Sequence, residues 1–255
     1  MTVQIETFEC LADNYGFLVH DDKTGATAAI DAPDAKTIRT ALARTGWSLS
    51  HILVTHHHSD HTAGIVPLKD ELDIVVIGPQ AEADKISRLD RTVSEGDRVS
   101  VGSLEFEVLE TPGHTLGHVT YFERKSKSLF SGDALFSLGC GRMFEGTPGP
   151  MWKGLATLRD LPDETMVYCG HEYSAANAAF ALSIDPNNKA LKKRAAEITQ
   201  LQSKGKPTVP FLLGEDKAAN PFLRADTSEL AAAMGVKLSD PAAVFVAIRK
   251  AKDGF

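Results

Sequence analysis

Cysteine is scarce in this chain of 255 residues, which contains three: Cys10, Cys140 and Cys169. No two of them form a CxxC pair and three thiols cannot all be paired, so we expect no disulfide framework and a reducing, cytoplasmic location. The N-terminal segment lacks a basic start followed by an apolar run, so we expect no signal peptide. No apolar stretch approaches the roughly 20 residues that a membrane-spanning helix needs, so we expect no membrane partner.

Basic residues are fewer than acidic residues, 27 against 34, and the net charge is −7. This charge argues against a nucleic-acid partner, which usually binds a basic surface. The deficit is uneven, because the chain from Pro186 onward carries a net charge of +5 and the part before it −12. We therefore treat the C-terminal portion as a separate basic piece. No feature indicates an oligomer, and we expect a monomer.

Short β-branched runs alternate with Gly, Pro and Asp before about residue 175, a pattern that predicts an α/β core. Strands are expected at Val3–Phe8, Gly16–His20, Thr27–Asp31, His51–Thr55, Ile74–Ile77, Arg98–Val101, Leu104–Glu110, Val119–Phe122, Ser128–Ser131 and Met166–Cys169, with a hairpin around Gly102. Helices are expected at Ala35–Thr45, Ala63–Asp70, Met151–Leu161, Ala175–Ser183, Asn187–Ser203, Thr227–Met234 and Asp240–Lys252. Asp185-Pro186 and Asp240-Pro241 both have the Asp-Pro pattern of an N-cap followed by a first helical proline.

Four of the apolar runs lead into an imidazole or a carboxylate side chain. The segments that follow these runs are Thr55–His61, Thr111–His114, Ser131–Asp133 and Cys169–His171. In sheet proteins, sites lie at strand ends where loops converge. Four runs aimed at one rim can therefore bring five histidines and two aspartates together.

The segment Thr55–His61 is the strongest single indication of a metal site, because it holds four histidines in six residues. Residues two apart in an extended segment face the same way, so His56 and His58 can share one ion. Asp60 and His61 lie past the turn and can reach a second ion. Imidazole and carboxylate ligands suit Zn²⁺, Fe or Mn better than a soft metal.

Two other histidines need an interpretation. His57 alternates with the presumed ligands and is expected to point away from the metals. His118 lies four residues after His114 and could compete with it for the ligand role or act as an outer-shell group. We favour His114 as the ligand because it follows the Pro112-Gly113 turn directly.

With these motifs the chain resembles the metallo-β-lactamase superfamily over residues 1–175. Within that superfamily it is similar to the hydroxyacylglutathione hydrolases, or glyoxalase II enzymes. The segments that carry the closer resemblance are Gly139–Thr147, Cys169–Tyr173, Asn220–Arg224 and Arg249–Phe255. The resemblance implies an αββα sandwich of the α/β class with a C-terminal helical domain. We place the catalytic domain at residues 1–174 and a helical, substrate-binding domain at residues 175–255.

The resemblance also implies two divalent metal ions per chain, with zinc expected and iron or manganese as alternatives. The implied ligands are His56, His58 and His114 for one ion, Asp60, His61 and His171 for the other, and Asp133 as the bridge. Hydroxide on the metals is the implied nucleophile, and Asp60 and Asp133 are the implied catalytic carboxylates. A thiolate leaves easily, since its parent thiol has a pKa near about 8.5. The chain accordingly lacks the Gly-x-Ser-x-Gly elbow of serine hydrolases.

The substrate implied by the resemblance is a small-molecule glutathione thioester, S-(2-hydroxyacyl)glutathione, for example S-D-lactoylglutathione. Its hydrolysis to glutathione and a 2-hydroxy acid is the second step of methylglyoxal detoxification. Arg142 and Phe144 are expected to contact the glutathione, although other members have Tyr at the second position. Tyr173 is expected to add a contact, and Arg249 and Lys252 to bind the glycine carboxylate.

Four other functions use related sequences. A lactamase or lactonase would share the metal ligands but has no evident need for the basic helical tail. A phosphodiesterase or nuclease is disfavoured by the charge of −7. A persulfide-oxidising relative uses one iron, whereas a full second ligand set is present here. A non-catalytic relative would be expected to lose at least one ligand, and all seven are present.

Overall fold

Two compact units make up the chain in the computed structural model, which describes residues 3–255. The first unit is the chain up to Glu110 together with Thr115–Gly132. The second unit is Thr111–His114 together with Asp133–Phe255. The second unit thus contains the short segment of residues 111–114 and the whole chain after residue 132.

The first unit contains a six-stranded sheet with the strands in chain order. Its strands are β1 (Val3–Cys10), β2 (Asn14–Asp21), β3 (Thr27–Ile30), β4 (His51–Leu53), β5 (Val75–Pro79) and β6 (Arg91–Val93). Strands β1 to β3 pair antiparallel, and β3 to β6 pair parallel. Every residue of β3 is buried, as expected where parallel strands are covered on both faces.

An antiparallel meander completes the strands of the first unit. It consists of β7 (Arg98–Val101), β8 (Leu104–Glu110), β9 (Val119–Glu123) and β10 (Ser128–Gly132). The predicted hairpin at Gly102 is confirmed, since Val101 pairs with Leu104 and Gly102 has φ +60°. Glycine adopts this left-handed conformation without the steric cost that a Cβ would bring.

The helices of the first unit are α1 (Ala35–Thr45), α2 (Ser59–Thr62) and α3 (Ile65–Lys69), with a 3₁₀ turn at Gln80–Lys85. Helix α1 has the predicted bounds because both its ends are capped. The Asp34 carboxylate accepts from the Thr37 N–H, and Gly46 closes the other end in a left-handed conformation. Its buried Ile38 belongs to a core that also includes Ile52.

The second unit is mostly helical. Its elements are β11 (Leu135–Phe136), β12 (Gly139–Cys140), α4 (Pro148–Arg159), β13 (Met166–Cys169), α5 (Ser174–Ile184), α6 (Lys189–Ser203), β14 (Phe211–Leu212), α7 (Leu213–Ala219), α8 (Ser228–Ala233) and α9 (Pro241–Asp253). Helices α5 and α6 share a buried cluster that includes Ala181, Leu191 and Ile198. Asp240 caps α9 as predicted, since its carboxylate accepts from the Ala243 N–H at 2.9 Å.

The predicted cap at Asp185-Pro186 is wrong. Asp185 instead ends α5 and forms an ion pair with Arg224. The N-cap of α6 is Asn188, whose side-chain oxygen accepts from the Leu191 N–H at 3.1 Å. The helix therefore starts later than the Asp-Pro pattern indicated, because the carboxylate that would cap it is bound elsewhere.

Most predicted strands and helices appear within a few residues of their expected bounds, while several short elements were not predicted. The unpredicted elements are β6, β11, β12, β14, α2, α7 and the 3₁₀ turn. The domain boundary after residue 174 stays a prediction. Among the described residues, no helix has the length and apolar character needed to cross a bilayer.

Candidate functional site

The first unit places the predicted ligands of the Thr55–His61 segment together at the end of β4. His56 Nε2 lies 3.1 Å from His58 Nδ1. The rings of His56 and His61 have centroids 4.2 Å apart, and His61 Nε2 lies 3.6 Å from an Asp60 carboxylate oxygen. His56 and His61 are buried. The sequence pattern therefore forms one compact cluster of nitrogen and oxygen donors.

Asp31 orients this segment, although sequence reasoning did not select it. Its carboxylate accepts from the Thr55 N–H at 2.7 Å and from the Thr55 hydroxyl at 2.9 Å. His61 Nδ1 lies 2.8 Å from the same carboxylate. An imidazole held at one nitrogen by a carboxylate presents the other as a metal ligand. Asp31 directly follows β3, so the strand-end signal used for Asp133 could have found it.

Asn14 is a second positioning residue that sequence reasoning missed. Its amide donates to the side chain and to the carbonyl of Asp60, both at 3.1 Å. Asn14 is buried, so this amide fixes the direction of the carboxylate from inside the protein. Nothing in the local sequence around β2 marks the residue.

His57 binds Glu82. The buried Glu82 carboxylate accepts from the His57 backbone N–H at 2.7 Å and lies 2.8 Å from His57 Nδ1. It also accepts from the Gly117 N–H at 2.9 Å. Glu82 thus ties together two loops of the first unit. It lies in the unpredicted 3₁₀ turn, and no sequence signal distinguishes it from the exposed glutamates of the chain.

His118 is fully buried and its ring stacks on that of His56, with centroids 4.9 Å apart. It also abuts Gly132, where an added Cβ would lie 2.8 Å from His118 Nε2 and 2.7 Å from the Thr55 hydroxyl. A side chain at position 132 would therefore displace the residues behind His56. This location fits the outer-shell alternative for His118.

The second unit brings together the three remaining predicted ligands, which come from distant parts of the sequence. His114 Nε2 and His171 Nε2 each lie 3.3 Å from the same carboxylate oxygen of Asp133. All three residues are buried. His114 Nδ1 lies 3.0 Å from the Arg142 carbonyl oxygen, so its Nδ1 carries the proton and its Nε2 is left to bind a metal.

Glycines allow the loop after β12 to approach these ligands. A Cβ at Gly141 would lie 2.1 Å from the Asp133 carbonyl oxygen. A Cβ at Gly146 would lie 2.5 Å from the Cα of Gly113, and the Gly146 N–H donates to the Gly113 carbonyl at 3.1 Å. The loop is therefore held against the turn before His114 at one end and against Asp133 at the other.

The predicted substrate aromatics border the same three ligands. The Phe144 ring is 61% exposed and its centroid lies 5.2 Å from that of His114. The Tyr173 ring stacks on His171 with centroids 4.8 Å apart and an angle of 2° between the planes. Tyr173 is 38% exposed. Tyr173 thus stacks face to face on His171, whereas Phe144 packs at an angle of 56° against His114, and both residues remain partly exposed.

The predicted basic residues form a cluster in which the two members of α9 differ. Arg249 is buried: its guanidinium donates to the Cys140 carbonyl at 3.1 Å and pairs with Asp253 at 2.8 Å. Lys252 donates to the Ala176 carbonyl at 2.9 Å and keeps partial exposure. Burial lowers the pKa of Lys252, as do the nearby charges of Arg249 and Arg142. Neither residue is an ordinary solvated tail charge.

The chemistry of both clusters fits a divalent metal. Their donors are imidazole nitrogens and carboxylate oxygens, and two imidazoles are held at the opposite nitrogen by an oxygen acceptor. A cysteine nucleophile is not indicated. Burial raises the pKa of Cys140 to about 11 and raises that of Cys169 further, so both stay thiols at neutral pH.

Two family models match consecutive parts of the chain. Residues 24–171 match the metallo-beta-lactamase superfamily, and residues 172–255 match the hydroxyacylglutathione hydrolase C-terminus. A hydroxyacylglutathione hydrolase from Rhodopseudomonas palustris (strain BisA53) is 53% identical over 253 residues, which cover 99% of each chain.

Solved structures show the same fold. The BLEG-1 B3 metallo-beta-lactamase aligns with a TM-score of 0.67 at 21% identity, over 86% of this chain and 99% of its own. The protein TTHA1623, crystallised in a di-iron-bound form, aligns with a TM-score of 0.58 at 29% identity, over 66% of this chain and 91% of its own. The predicted α/β fold class is confirmed by these matches and by the match to the helical C-terminal model.

Proposed function

Because this chain belongs to the hydroxyacylglutathione hydrolase family within the metallo-β-lactamase superfamily, we propose that it hydrolyses the thioester bond of an S-(2-hydroxyacyl)glutathione. The products are glutathione and a 2-hydroxy acid. S-D-lactoylglutathione is the substrate we propose first, which assigns the chain to the second step of methylglyoxal detoxification. The observation that carries the proposal is the 53% identity to a hydroxyacylglutathione hydrolase over the full length.

The proposal includes two divalent metal ions per chain, with zinc as the expected metal. His56, His58 and His114 would hold one ion, Asp60, His61 and His171 would hold the other, and Asp133 would be a ligand shared by both. Support comes from each unit by itself: the first clusters four of these donors, and the second gathers two imidazoles on one Asp133 oxygen. The di-iron form of a structural relative is consistent with two ions and keeps iron as an alternative.

Bound metal ions supply Lewis acidity and lower the pKa of water towards roughly 7. The chain's own residues keep the ligands aligned: Asp31 holds the His61 ring and Asn14 holds the Asp60 carboxylate. Such outer-shell contacts fix ring orientation before substrate arrives. Since a thiolate is a good leaving group, no acidic side chain has to protonate it.

Arg142, Phe144, Tyr173, Arg249 and Lys252 bind the glutathione part in this proposal. The partly exposed rings of Phe144 and Tyr173 lie beside His114 and His171, which supports substrate contacts beside the reacting group. Of the two proposed α9 contacts, Lys252 is partly exposed, whereas the guanidinium of Arg249 is engaged with Cys140 and Asp253. We assign the direct contact with the glycine carboxylate to both, with Lys252 presenting the more accessible charge.

The proposed domain boundary after residue 174 accords with the family models, which meet between residues 171 and 172. We also propose a cytoplasmic location, because the three cysteines are free and buried. The monomeric state and the absence of nucleic-acid and membrane partners stay predictions. Light scattering at increasing protein concentration tests the first of them.

A hydrolysis panel on protein of measured metal content tests the function. We expect rapid turnover of S-D-lactoylglutathione, loss of activity after chelation and recovery when Zn²⁺ is added. A simple thioester lacking glutathione, a β-lactam, a lactone and a phosphodiester serve as comparison substrates. Preferred turnover of the lactam, lactone or phosphodiester would contradict the proposal, and so would one ion or none per chain after Zn²⁺ supplementation.

A further inference from the structure

The segment 136–140 connects the two parts of the candidate site in the second unit. It begins three residues after Asp133 and ends two residues before Arg142. Strands β11 and β12 form its hairpin with two residue pairs, Leu135 with Cys140 and Phe136 with Gly139. Leu138 at the tip has φ +57°, a left-handed conformation that is costly for a residue with a Cβ. So short and strained a hairpin needs support from outside itself.

That support comes from Asn220, in the Asn220–Arg224 motif noted in the sequence. The amide nitrogen of Asn220 donates to the carbonyls of Phe136 at 3.2 Å and Gly139 at 3.0 Å. Its oxygen accepts from the Phe222 N–H at 2.9 Å, which fixes the orientation of the amide. One fully buried side chain therefore bonds both strands of the hairpin.

Asp216, one turn earlier on α7, supports the same hairpin. Its carboxylate accepts from the Leu138 N–H at 2.9 Å and from the Asn220 amide at 2.8 Å. The side chain is almost completely buried. Burial raises the pKa of Asp216 to about 7, while the bonds from Asn220 and Leu138 oppose that rise. Burying a carboxyl group away from water costs free energy unless it is hydrogen-bonded. Asp216 is hydrogen-bonded through its contacts with Leu138 and Asn220.

Two further side chains hold the remaining backbone of the segment. The Asn177 amide donates to the Ser137 carbonyl at 3.2 Å, and the Arg249 guanidinium donates to the Cys140 carbonyl at 3.1 Å. Each residue from 136 to 140 thus has a backbone group bonded to a buried side chain of the helical part of the unit. The hairpin takes its shape from these side chains more than from its own ladder.

The supported hairpin also touches the ligands through Phe136. The Phe136 ring lies 5.3 Å from that of Tyr173 and 6.2 Å from that of His171, both in edge-on geometry. A shift of the hairpin would therefore move Asp133 at one end, Arg142 at the other, and the ring against His171. Asp216 and Asn220 themselves contact none of these predicted site residues in the bonds described.

We propose that Asp216 and Asn220 are positioning residues, which set Asp133 for metal binding and Arg142 for glutathione binding by holding the backbone of residues 136–140. The glutathione part of this inference rests on the proposed function. The role differs from ordinary packing because the bonds end on one five-residue segment between the two halves of the site.

The test uses Asn220→Asp and a matched Asn188→Asp control in the full-length, metal-loaded protein. Asn220→Asp preserves shape but replaces the amide N–H groups, which are shared among Phe136, Gly139 and Asp216, with an acceptor beside Asp216. Asn188→Asp makes the same chemical change at the cap of α6, where the amide donates to Ala218 and Asp185. Three readouts are compared: hydrogen exchange of a peptide covering residues 134–146, metal retained at limiting Zn²⁺, and affinity for the unreactive thioether S-methylglutathione.

For Asn220→Asp we expect faster exchange in the peptide, reduced metal retention and at least tenfold weaker binding of S-methylglutathione. KM for the thioester should rise with it, and Asn188→Asp should match the wild type in all three readouts. A lower melting temperature with unchanged exchange, metal and affinity would make Asn220 merely structural and overturn the inference.

Failure of the proposed function can be distinguished from failure of this inference. A wild-type protein that neither hydrolyses a glutathione thioester nor binds S-methylglutathione would refute the function, while exchange and metal retention still decide whether residues 216 and 220 position Asp133. An Asp216→Asn variant provides the second measurement, since it keeps an acceptor for Leu138 but sets an amide against the Asn220 amide. Wild-type exchange and metal retention in both variants would overturn the inference whatever the substrate.

Discussion

The two compact units bring their candidate metal ligands together in different ways. In the first unit, four candidate metal ligands lie within six consecutive residues after β4, and the local backbone already sets their spacing. In the second unit, His114, Asp133 and His171 come from three separate segments and meet only through tertiary structure. The first cluster is thus encoded locally, and the second depends on the folding of the whole unit.

The residues that support the two clusters also differ, being close to the ligands in the first unit and farther from them in the second. Buried carboxylates in the first unit, Asp31 and Glu82, bind the ligand segment directly. In the second unit the buried polar groups Asp216 and Asn220 act on the backbone between the site residues. The first cluster should therefore be damaged by losing a carboxylate that holds a ligand ring, as Asp31 holds His61. The second cluster should be damaged most by losing Asp133, the residue that both imidazoles contact.

The largest effect is expected for Asp133→Asn. The Asp133 oxygen lies 3.3 Å from both His114 Nε2 and His171 Nε2, so an amide there should weaken both proposed metal positions together. The loss in metal affinity should exceed the roughly 10- to 100-fold that an outer-shell change costs. Elemental analysis and kcat measure it. Full metal content with full turnover would remove Asp133 from the bridging role.

A smaller loss of metal affinity is expected for Asp31→Asn, which changes a support that belongs to the first unit alone. Asp31 has φ +57°, a conformation that asparagine tolerates, so the backbone should survive. The amide offers His61 and Thr55 fewer acceptors, and metal affinity should fall about 10- to 100-fold. Zinc titration against a competing chelator gives the value.

Glu82→Gln is the matched control for Asp31→Asn. Glu82 accepts three hydrogen bonds, as Asp31 does, but its histidine partner is His57. We expect a loss of about 1–3 kcal/mol in the free energy of unfolding with metal affinity unchanged. Equal losses of metal in both variants would show that the orientation of His61 is not what Asp31 contributes.

The double variant Arg249→Ala/Lys252→Ala tests the second unit alone. In the proposed function both residues contact a part of the substrate that does not react, so the loss should appear in KM more than in kcat. Losing a charge-assisted hydrogen bond costs about 1.5–3 kcal/mol, or roughly ten- to a hundredfold in KM. Activity on a simple thioester should persist, because Asn177, Asp216 and Asn220 still hold residues 136–139. This activity also controls for collapse of α9. Unchanged KM for the glutathione thioester would exclude α9 from substrate binding.

The smallest effect is a pH dependence of KM. Burial and the charges of Arg249 and Arg142 lower the pKa of Lys252 from the ordinary 10.5. Its positive charge is therefore lost as pH rises, beginning below the pH at which a free lysine titrates. KM for the glutathione thioester should rise in that alkaline range, after subtraction of spontaneous hydrolysis. The Lys252→Arg variant keeps its positive charge at alkaline pH, so its KM should rise less. An identical rise of KM in both proteins would show that a group other than Lys252 causes it.

Sequence reasoning succeeded where structure is local. Helix α1 has the predicted bounds because Asp34 and Gly46 mark its ends within the chain itself. The Thr55–His61 segment carries its ligand spacing in consecutive residues. The grouping of His114, Asp133 and His171 was predicted from strand ends and a family resemblance, and the second unit does bring these three together.

The sequence was uninformative where an element is held by distant side chains. Strands β11 and β12 are two residues each, too short for any periodicity, and are kept in place by Asn220 and Asp216 from about 80 positions later. Helix α7, which carries Asp216, was itself unpredicted. The burial of Arg249 was equally unreadable, since a basic residue on a terminal helix usually faces solvent.

The contact between Gly113 and Gly146 limits how this site can change during evolution. A Cβ at Gly146 would lie 2.5 Å from the Gly113 Cα, so a side chain at position 146 would separate the loop from the turn before His114. No second side-chain substitution could compensate, because the atoms in the way belong to the Gly113 backbone. The loop between Gly141 and Gly146 is thus fixed at both ends. New substrate preferences should arise by exchanging the side chains of residues 142–145, while insertions and deletions in the loop should be selected against.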